Sequence, residues 1–330
     1  MEVLSEQKKE AFEKAFSGVT RDELMAKHTS FRVGGPARLY VTAMSAEHLI
    51  EMVRFAQEQQ IPFAVYGGGS NILVADEGFE GVIIQTGMRD IQIEGTKVKA
   101  EAGAITGMVA RKAVDHGLGG FEWAVGVPGT IGGAVYGNAG CYGGVMKDHV
   151  VSVETLRLSD FSLVTYSNQE CVFGYRSSYF KKVPHVILST TMEIAQSTDV
   201  EASKEKLQWV MNERKDKQPL GESSAGCAFK NWDYQNEEQL TILKREIPEI
   251  PEGMLKAKRV SAGWLIDQAD MLGASIGDVA VSEKHGNFMV NKGKAKAADI
   301  VALISRVKMK VRDLYGIELE EEVQLLGFLK

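Results

Sequence analysis

The sequence predicts an α+β protein built of two or three parts, and three observations lead there. The front of the chain alternates helical and strand-like segments, a mostly β stretch follows, and the last third is dominated by helices. Its 330 residues suit two domains, or three small ones, at roughly 150 residues each. Apolar residues at 44% and charged residues at 25% are the composition of a folded globular chain.

Taken in order, residues 1–16 read as an amphipathic leader helix. Ser45 can cap a helix to about Gln59, with Leu49, Met52, Val53 and Ala56 on one face, and Ile61-Pro62 stops it. FAVY (63–66) reads as a short strand, GGGSN (67–71) as a loop and ILVA (72–75) as another strand. VIIQ (82–85), IQI (91–93) and KVKAEAG (97–103) continue the β pattern. A helix over 104–116 ends at Gly117, where a left-handed cap favours glycine. VVSVETLRL (150–158) and VTYS (164–167) suit a hairpin pair, VILSTTMEI (186–194) one more strand, and 200–214 a helix. Prolines mark EIPEIPEG (246–253) as a loop. Residues 297–315 place Ile300, Leu303, Ile304, Val307, Val311 and Leu314 at three- and four-residue spacing, Gly316 ends that helix, and IELEEEVQLL (317–326) is strand-like.

Composition excludes several function classes. With 38 Lys+Arg against 44 Asp+Glu the net charge is −6, and no basic block exists, which argues against a general nucleic-acid binder. Cys141, Cys171 and Cys227 are odd in number and form no CxxC pair, so neither a disulfide scaffold nor a zinc ribbon is expected, and a reducing cytosol suits them. The charged start, MEVLSEQKKEAFEKAF, does not read as a secretory signal. Residues 123–146 form an uncharged run of 24, long enough to span a bilayer. Eight of them are glycine, which makes a poor isolated helix, so they read instead as buried loops.

GGGSN after a strand could cradle phosphate on its N–H groups or could be a plain hairpin turn. No Gly-Lys-Ser/Thr closes it and no G-x-G-x-x-G occurs, so neither a Walker A loop nor a Rossmann site is supported. The second cluster, GVPGTIGGAVYGNAG (126–140), implies repeated close approach of backbone, either to an extended ligand or within a tight packed corner. No HExxH, EF-hand loop or His/Cys cluster points to a metal.

HTSFRVGGPA (28–37), YGGGSNILVADEGFEGVII (66–84) and GVPGTIGGAVYGNAGCYG (126–143) resemble the flavin-binding segments of the UDP-N-acetylenolpyruvoylglucosamine reductase (MurB) family. FGYRSS (173–178), SAGCAFKN (224–231), AGWLIDQADMLG (262–273) and LEEEVQLLG (319–327) resemble that family's remaining blocks, in the same order. The resemblance implies an FAD-binding fold of the vanillyl-alcohol oxidase (PCMH) type in two subdomains, 21–87 and 88–213, behind a leader at 1–20. It further implies an α/β substrate-binding domain at 214–318 and a C-terminal strand, 319–330, carrying a catalytic glutamate. The reaction implied is NADPH-dependent reduction of the enolpyruvyl ether of UDP-GlcNAc to UDP-N-acetylmuramate, a cytoplasmic step of peptidoglycan synthesis. A flavin-dependent oxidase of the same fold, acting on a small alcohol, is the alternative.

By the same resemblance, Arg176 grips the enolpyruvyl carboxylate, Glu322 assists the enolate or the proton transfer, and Cys227 stands where most members carry a proton-donating serine. A thiol titrates near 8.5 and is a better acid than an alcohol. Cys141 and Cys171 have no such motif and read as structural. Non-covalent FAD is expected against Tyr66, Gly67, Gly68, Gly69, Ser70, Asn71 and Ile72, and against Gly126, Pro128, Gly129, Thr130, Gly132, Gly133, Ala134, Asn138 and Ala139. Substrate contacts are expected from Tyr175, Arg214, Lys217, Lys230, Asn231, Gln268, His285 and Asn287, with Lys217 a candidate for the diphosphate. The stretch between Arg176 and Cys227 resembles the members that lack a tyrosine-bearing loop over the substrate, so other contacts must hold the UDP part. UDP-GlcNAc-enolpyruvate and NADPH are the partners expected; no nucleic acid, membrane or obligate protein partner is.

Overall fold

A computed structural model describes residues 3–247 and 249–328. The outermost residues of the expected leader and C-terminal strand, and Pro248 of the proline-marked loop, lie outside the described residues. The chain divides into two compact units. The first comprises the chain up to Glu23, Ala37–Gly69 and Phe79–Asp216; the second comprises Leu24–Pro36, Ser70–Gly78 and Lys217 onward. One division falls between Asp216 and Lys217, while 24–36 and 70–78 join the second unit, out of linear order. Among the described residues no helix is long and apolar enough to cross a membrane.

In the first unit, helix Glu6–Ala15 starts at Ser5, whose hydroxyl accepts from the Lys8 N–H. Four strands follow the order Thr20–Leu24, Pro36–Ala43, Phe79–Thr86, Phe63–Tyr66, and the last three are parallel. Parallel strands need a crossover, and helix Ala46–Glu58 supplies the one from Pro36–Ala43 to Phe63–Tyr66, the two strands that flank Phe79–Thr86. Ser45 Oγ accepts from the His48 N–H at 3.2 Å to start this helix, and Leu49, Met52, Val53 and Ala56 are its buried face, as the 3.6-residue period requires. An antiparallel sheet in the order Leu163–Ser167, Val150–Arg157, His185–Glu193, Lys97–Glu101, Ile91–Glu94 completes the unit. Helix Thr106–Asp115 buries Val109, Ala110, Ala113 and Val114 in the same core as Val98, Val153 and Leu156.

The uncharged run 123–146 is mostly buried or half-buried, with Pro128, Gly133 and Gly143 exposed, and it is not all loop. Ile131–Gly137 forms a helix despite three glycines, because Thr130 caps it and Ile131, Ala134 and Val135 are buried.

In the second unit, Ile72–Val74 pairs parallel with Gln324–Leu326. The GGGSN loop thus closes no hairpin: 63–66 and 72–74 lie in different sheets. The Asp76 carboxylate accepts from the N–H groups of Ala297 and Ala298 at 2.8 and 3.0 Å, capping helix Ala297–Tyr315 from 221 residues away in the chain. That helix buries Ile300, Leu303, Ile304, Val307 and Val311, with Tyr315 in place of the expected Leu314, which is 40% exposed.

The expected strand over 317–326 is shorter. Only Gln324–Leu326 is a strand, Leu319 and Val323 are buried, and Leu325 is exposed. Strict alternation fails because the segment changes partner midway: Glu321 bridges Phe229, whereas 324–326 pair with 72–74.

Candidate active site

The GGGSN loop is pressed against the glycine-rich stretch. A Cβ on Gly67 would collide with Thr130 Oγ1, and one on Gly68 would lie 3.2 Å from Gly129 Cα. Gly129 itself has φ +98°, where other residues are strained. The N–H groups of Gly68 and Gly69 make no hydrogen bond among the described residues, so they stand ready for an anion or a carbonyl. Such a surface fits a flavin nucleotide. Tyr66 closes the strand behind it, its buried hydroxyl 3.3 Å from that of Tyr40 and its pKa pushed up by burial. Ser70, Asn71 and Ile72 belong to the second unit, where Asn71 Nδ2 donates to the Glu322 carbonyl at 3.1 Å.

Most N–H groups of the second glycine cluster are committed to bonds within the protein. Gly132 N donates to Ala102 O, Gly133 N to Thr130 Oγ1, Ala134 N to Thr130 O, Asn138 N to Val135 O and Ala139 N to Ala134 O. Gly126 is held by Val210 and Cys141 side chains, and Gly132 by Ala102. Pro128 precedes the turn at Gly129 and is exposed. Here the packed-corner reading accounts for Gly126 and Gly132, while Gly129 and Thr130 remain at the GGGSN surface.

Arg176 sits at the tip of a two-residue turn. Gly174 N donates to Ser177 O at 3.0 Å and Ser177 N to Gly174 O at 3.2 Å, with Arg176 at φ +50°. Its guanidinium lies 5.3 Å from the Tyr175 ring centroid, and Nη2 donates to Gly140 O at 2.8 Å. The tip is bracketed by Asn138 Nδ2 donating to Gly174 O at 2.7 Å and Ser178 Oγ donating to Tyr136 O at 2.7 Å. Burial pushes the Cys141 thiol up to about 11, while Arg214 and Arg176 draw it the other way. Arg176, Arg214 and Cys141 therefore share one neighbourhood, which no motif links in the sequence.

Backbone register in the second unit sets Glu322 against Ala228, the residue after Cys227. Segment 224–231 runs between two others: Cys227 bridges Phe288 on one side, and Phe229 bridges Glu321 on the other. Ala228 N donates to Asn287 O, and Glu322 N to Ala228 O at 2.8 Å. The Glu322 carbonyl accepts from both Asn71 Nδ2 and Gln324 Nε2. Its neighbours are occupied differently: Glu320 pairs with Lys230 and Glu321 with Lys308, each at 2.7 Å, as surface ion pairs.

The remaining expected contacts divide. Asn287 is 2% exposed and its amide holds the Phe229 peptide at both ends, so its place is support beneath the site. Asn231 Oδ1 accepts from Ala262 N at 3.1 Å, at the start of helix Ala262–Gln268. His285 Nδ1 accepts from Asn287 N at 3.2 Å, and burial lowers its pKa. Gln268 and Lys217 are exposed, and Lys230 is spent on Glu320.

Two family models match the chain: an FAD binding domain over residues 37–164, and the C-terminal domain of UDP-N-acetylenolpyruvoylglucosamine reductase over 218–326. The enzyme of that name from Caldanaerobacter subterraneus subsp. tengcongensis is 37% identical over 307 residues, covering 93% of this chain and 93% of its own. Its namesake from Clostridium perfringens is 37% identical over 310 residues, covering 94% and 93%. The crystal structure of the Thermus caldophilus enzyme, UDP-N-acetylenolpyruvylglucosamine reductase, matches 94% of this chain and 100% of its own with a TM-score of 0.74 at 31% identity. Matched at this identity along nearly its whole length, and in both of its parts, the chain belongs to the UDP-N-acetylenolpyruvoylglucosamine reductase family.

Proposed function

We propose that Arg176, Cys227 and Glu322 carry the chemistry of this flavoprotein: reduction of UDP-N-acetyl-3-O-(1-carboxyvinyl)-glucosamine to UDP-N-acetylmuramate with NADPH, in peptidoglycan precursor synthesis. Bound FAD supplies the hydride, taken from NADPH. As hydride reaches the terminal vinyl carbon, the double-bond electron pair moves onto the neighbouring carbon and its carboxylate. A proton to that carbon completes the reduction.

Arg176 suits the carboxylate because its guanidinium keeps its charge and offers a planar fork of donors where negative charge grows. Cys227 supplies the proton from its neutral thiol, and Glu322 assists the enolate or the transfer. The Gly67, Gly68 and Gly69 backbone, with Gly129 and Thr130, seats FAD without a covalent bond. Tyr175, Arg214 and Lys217 reach the UDP part, and the reaction takes place in the cytoplasm. The observation that carries the reading is the clamped backbone of 224–231, which fixes the Cys227 segment against Glu322. A reacting acid has to be held in this way to act at a defined carbon.

The visible spectrum of the purified protein tests the reading. A yellow protein bleached by NADPH, and reoxidised without oxygen by the enolpyruvyl substrate, is the result expected. Rapid reoxidation by oxygen with no response to that substrate would instead make it an oxidase. Arg176→Lys should slow the second half-reaction by about 10²–10³ and leave flavin reduction by NADPH intact. Equal slowing of both would make Arg176 structural.

A further inference from the structure

We propose that Asn138 is a positioning residue for Arg176 and not a flavin ligand; this rests on the carboxylate-binding role of Arg176. Asn138 ends helix Ile131–Gly137 with φ +43°, in the left-handed region that asparagine tolerates, and it is 2% exposed. Its amide nitrogen donates to Gly174 O at 2.7 Å, and its amide oxygen accepts from Lys147 N at 3.0 Å. Each end of the side chain thus holds a backbone group of the protein.

The bond to Gly174 is the one that matters for Arg176. Gly174 O also accepts from Ser177 N, so Asn138 fixes the base of the two-residue turn that carries Arg176 at its second position. With φ +50° and a long side chain, Arg176 occupies a sparsely populated backbone region that its surroundings must impose. One short stretch of chain supplies three of these contacts. Tyr136 O takes the Ser178 hydroxyl, Asn138 takes Gly174 O, and Gly140 O takes the guanidinium itself. Three alternate residues at the end of one helix therefore set both the backbone turn and the direction of the fork. Glycine at 138 would satisfy the left-handed backbone equally well, so the amide itself is what the turn uses.

Asn138→Gly keeps the backbone conformation and deletes the amide. It should retain FAD, and lower both the affinity for the enolpyruvyl substrate and the rate of the second half-reaction by about 10–10², the scale of a small misplacement of a reacting group. Flavin reduction by NADPH should keep its rate. Asn138→Asp still accepts from Lys147 N but cannot donate to Gly174 O, and should share the defect; a wild-type response from it would overturn the proposal. Combined with Arg176→Lys, Asn138→Gly should add little further loss, because both act on one interaction. Additive losses would overturn the positioning role while leaving Arg176 in place. If Arg176→Lys alone leaves the second half-reaction intact, the role of Arg176 falls, and this proposal with it. Should Asn138→Gly lose flavin, Ser178→Ala removes the neighbouring bond to Tyr136 O and should give the same split between half-reactions; flavin loss or equal slowing there too would place Asn138 in the flavin seat and overturn the proposal.

Discussion

Asn287 grips Phe229 at both ends of its peptide: Phe229 N donates to Asn287 Oδ1 at 2.9 Å, and Asn287 Nδ2 donates to Phe229 O at 2.8 Å. Both residues are buried, and the same segment carries Cys227 two positions earlier. Asn287→Ala would leave a buried donor and a buried acceptor without partners, each costing about 1–3 kcal/mol. A fall of about 2–4 kcal/mol in urea-unfolding stability is expected. The second half-reaction should slow in the surviving folded protein while NADPH still reduces the flavin. A stability loss below about 0.5 kcal/mol, the scale of an ordinary surface change, would show that the clamp is dispensable.

Sequence periodicity was enough for the helices at 46–58 and 297–315, because their faces are local, but not for Ile131–Gly137, which the glycines hide. Ser45 and the buried face Leu49, Met52, Val53 and Ala56 obey the 3.6-residue rule, as does the stripe from Ile300 to Val311. What stayed illegible was set by partners distant in sequence. Asp76 caps a helix at Ala297, and Ile72–Val74 pairs with Gln324–Leu326, so 70–78 joins a unit that linear order does not suggest. The same cause misled the glycine reading: Gly126 and Gly132 look like ligand-approach glycines, but Val210 and Ala102 occupy the space. Family motifs brought out Arg176, Cys227 and Glu322; the grouping of Cys141 with Arg176 and Arg214 has no local signal at all.

Gly67→Ala tests the flavin seat. Its new methyl would meet Thr130 Oγ1, which caps helix Ile131–Gly137, so either the loop or the cap must shift. Overpacking of this kind costs about 1–3 kcal/mol. Released into flavin binding, that corresponds to roughly a tenfold to hundredfold weaker affinity. Titrating the apoprotein with FAD and following flavin fluorescence measures it directly, and unaltered affinity would move the seat away from Gly67.

Acid should weaken the fold before carboxylates titrate. Burial lowers the pKa of His149, whose Nε2 must stay unprotonated to accept from Trp123 Nε1 at 3.3 Å, and burial lowers His285 as well. The unfolded chain, with histidines near 6.5, therefore binds more protons than the folded one as pH falls. Stability is fully present above about 6.5 and is lost below it, toward the lowered folded values. Urea midpoints at pH 8 and pH 5.5 should differ in that direction. His149→Gln, which keeps an acceptor for Trp123 and cannot titrate, should shrink the difference; an unchanged pH dependence would clear His149 of the effect.

By the family resemblance Cys227 stands where most members carry a serine, and the proposed role of its thiol can be tested against simple packing. Cys227→Ser should remain active, since a small hydroxyl donor serves at that position elsewhere in the family. Cys227→Ala should bind FAD and accept hydride from NADPH, because neither step needs a proton at the substrate carbon. Reduction of the enolpyruvyl ether should then fall by about 10²–10⁴, the usual worth of a positioned general acid. Cys227 is half-buried and forms no disulfide. Alkylation by iodoacetamide proceeds through the thiolate and should rise at alkaline pH, abolish turnover and be slowed by bound substrate. A residue kept only for packing behaves otherwise: Cys227→Ala would be silent in the second half-reaction, or would lose flavin and stability together. Substrate reduction at the parent rate by the alanine variant would end the proton-donor assignment, and the family membership, which rests on the rest of the chain, would be untouched.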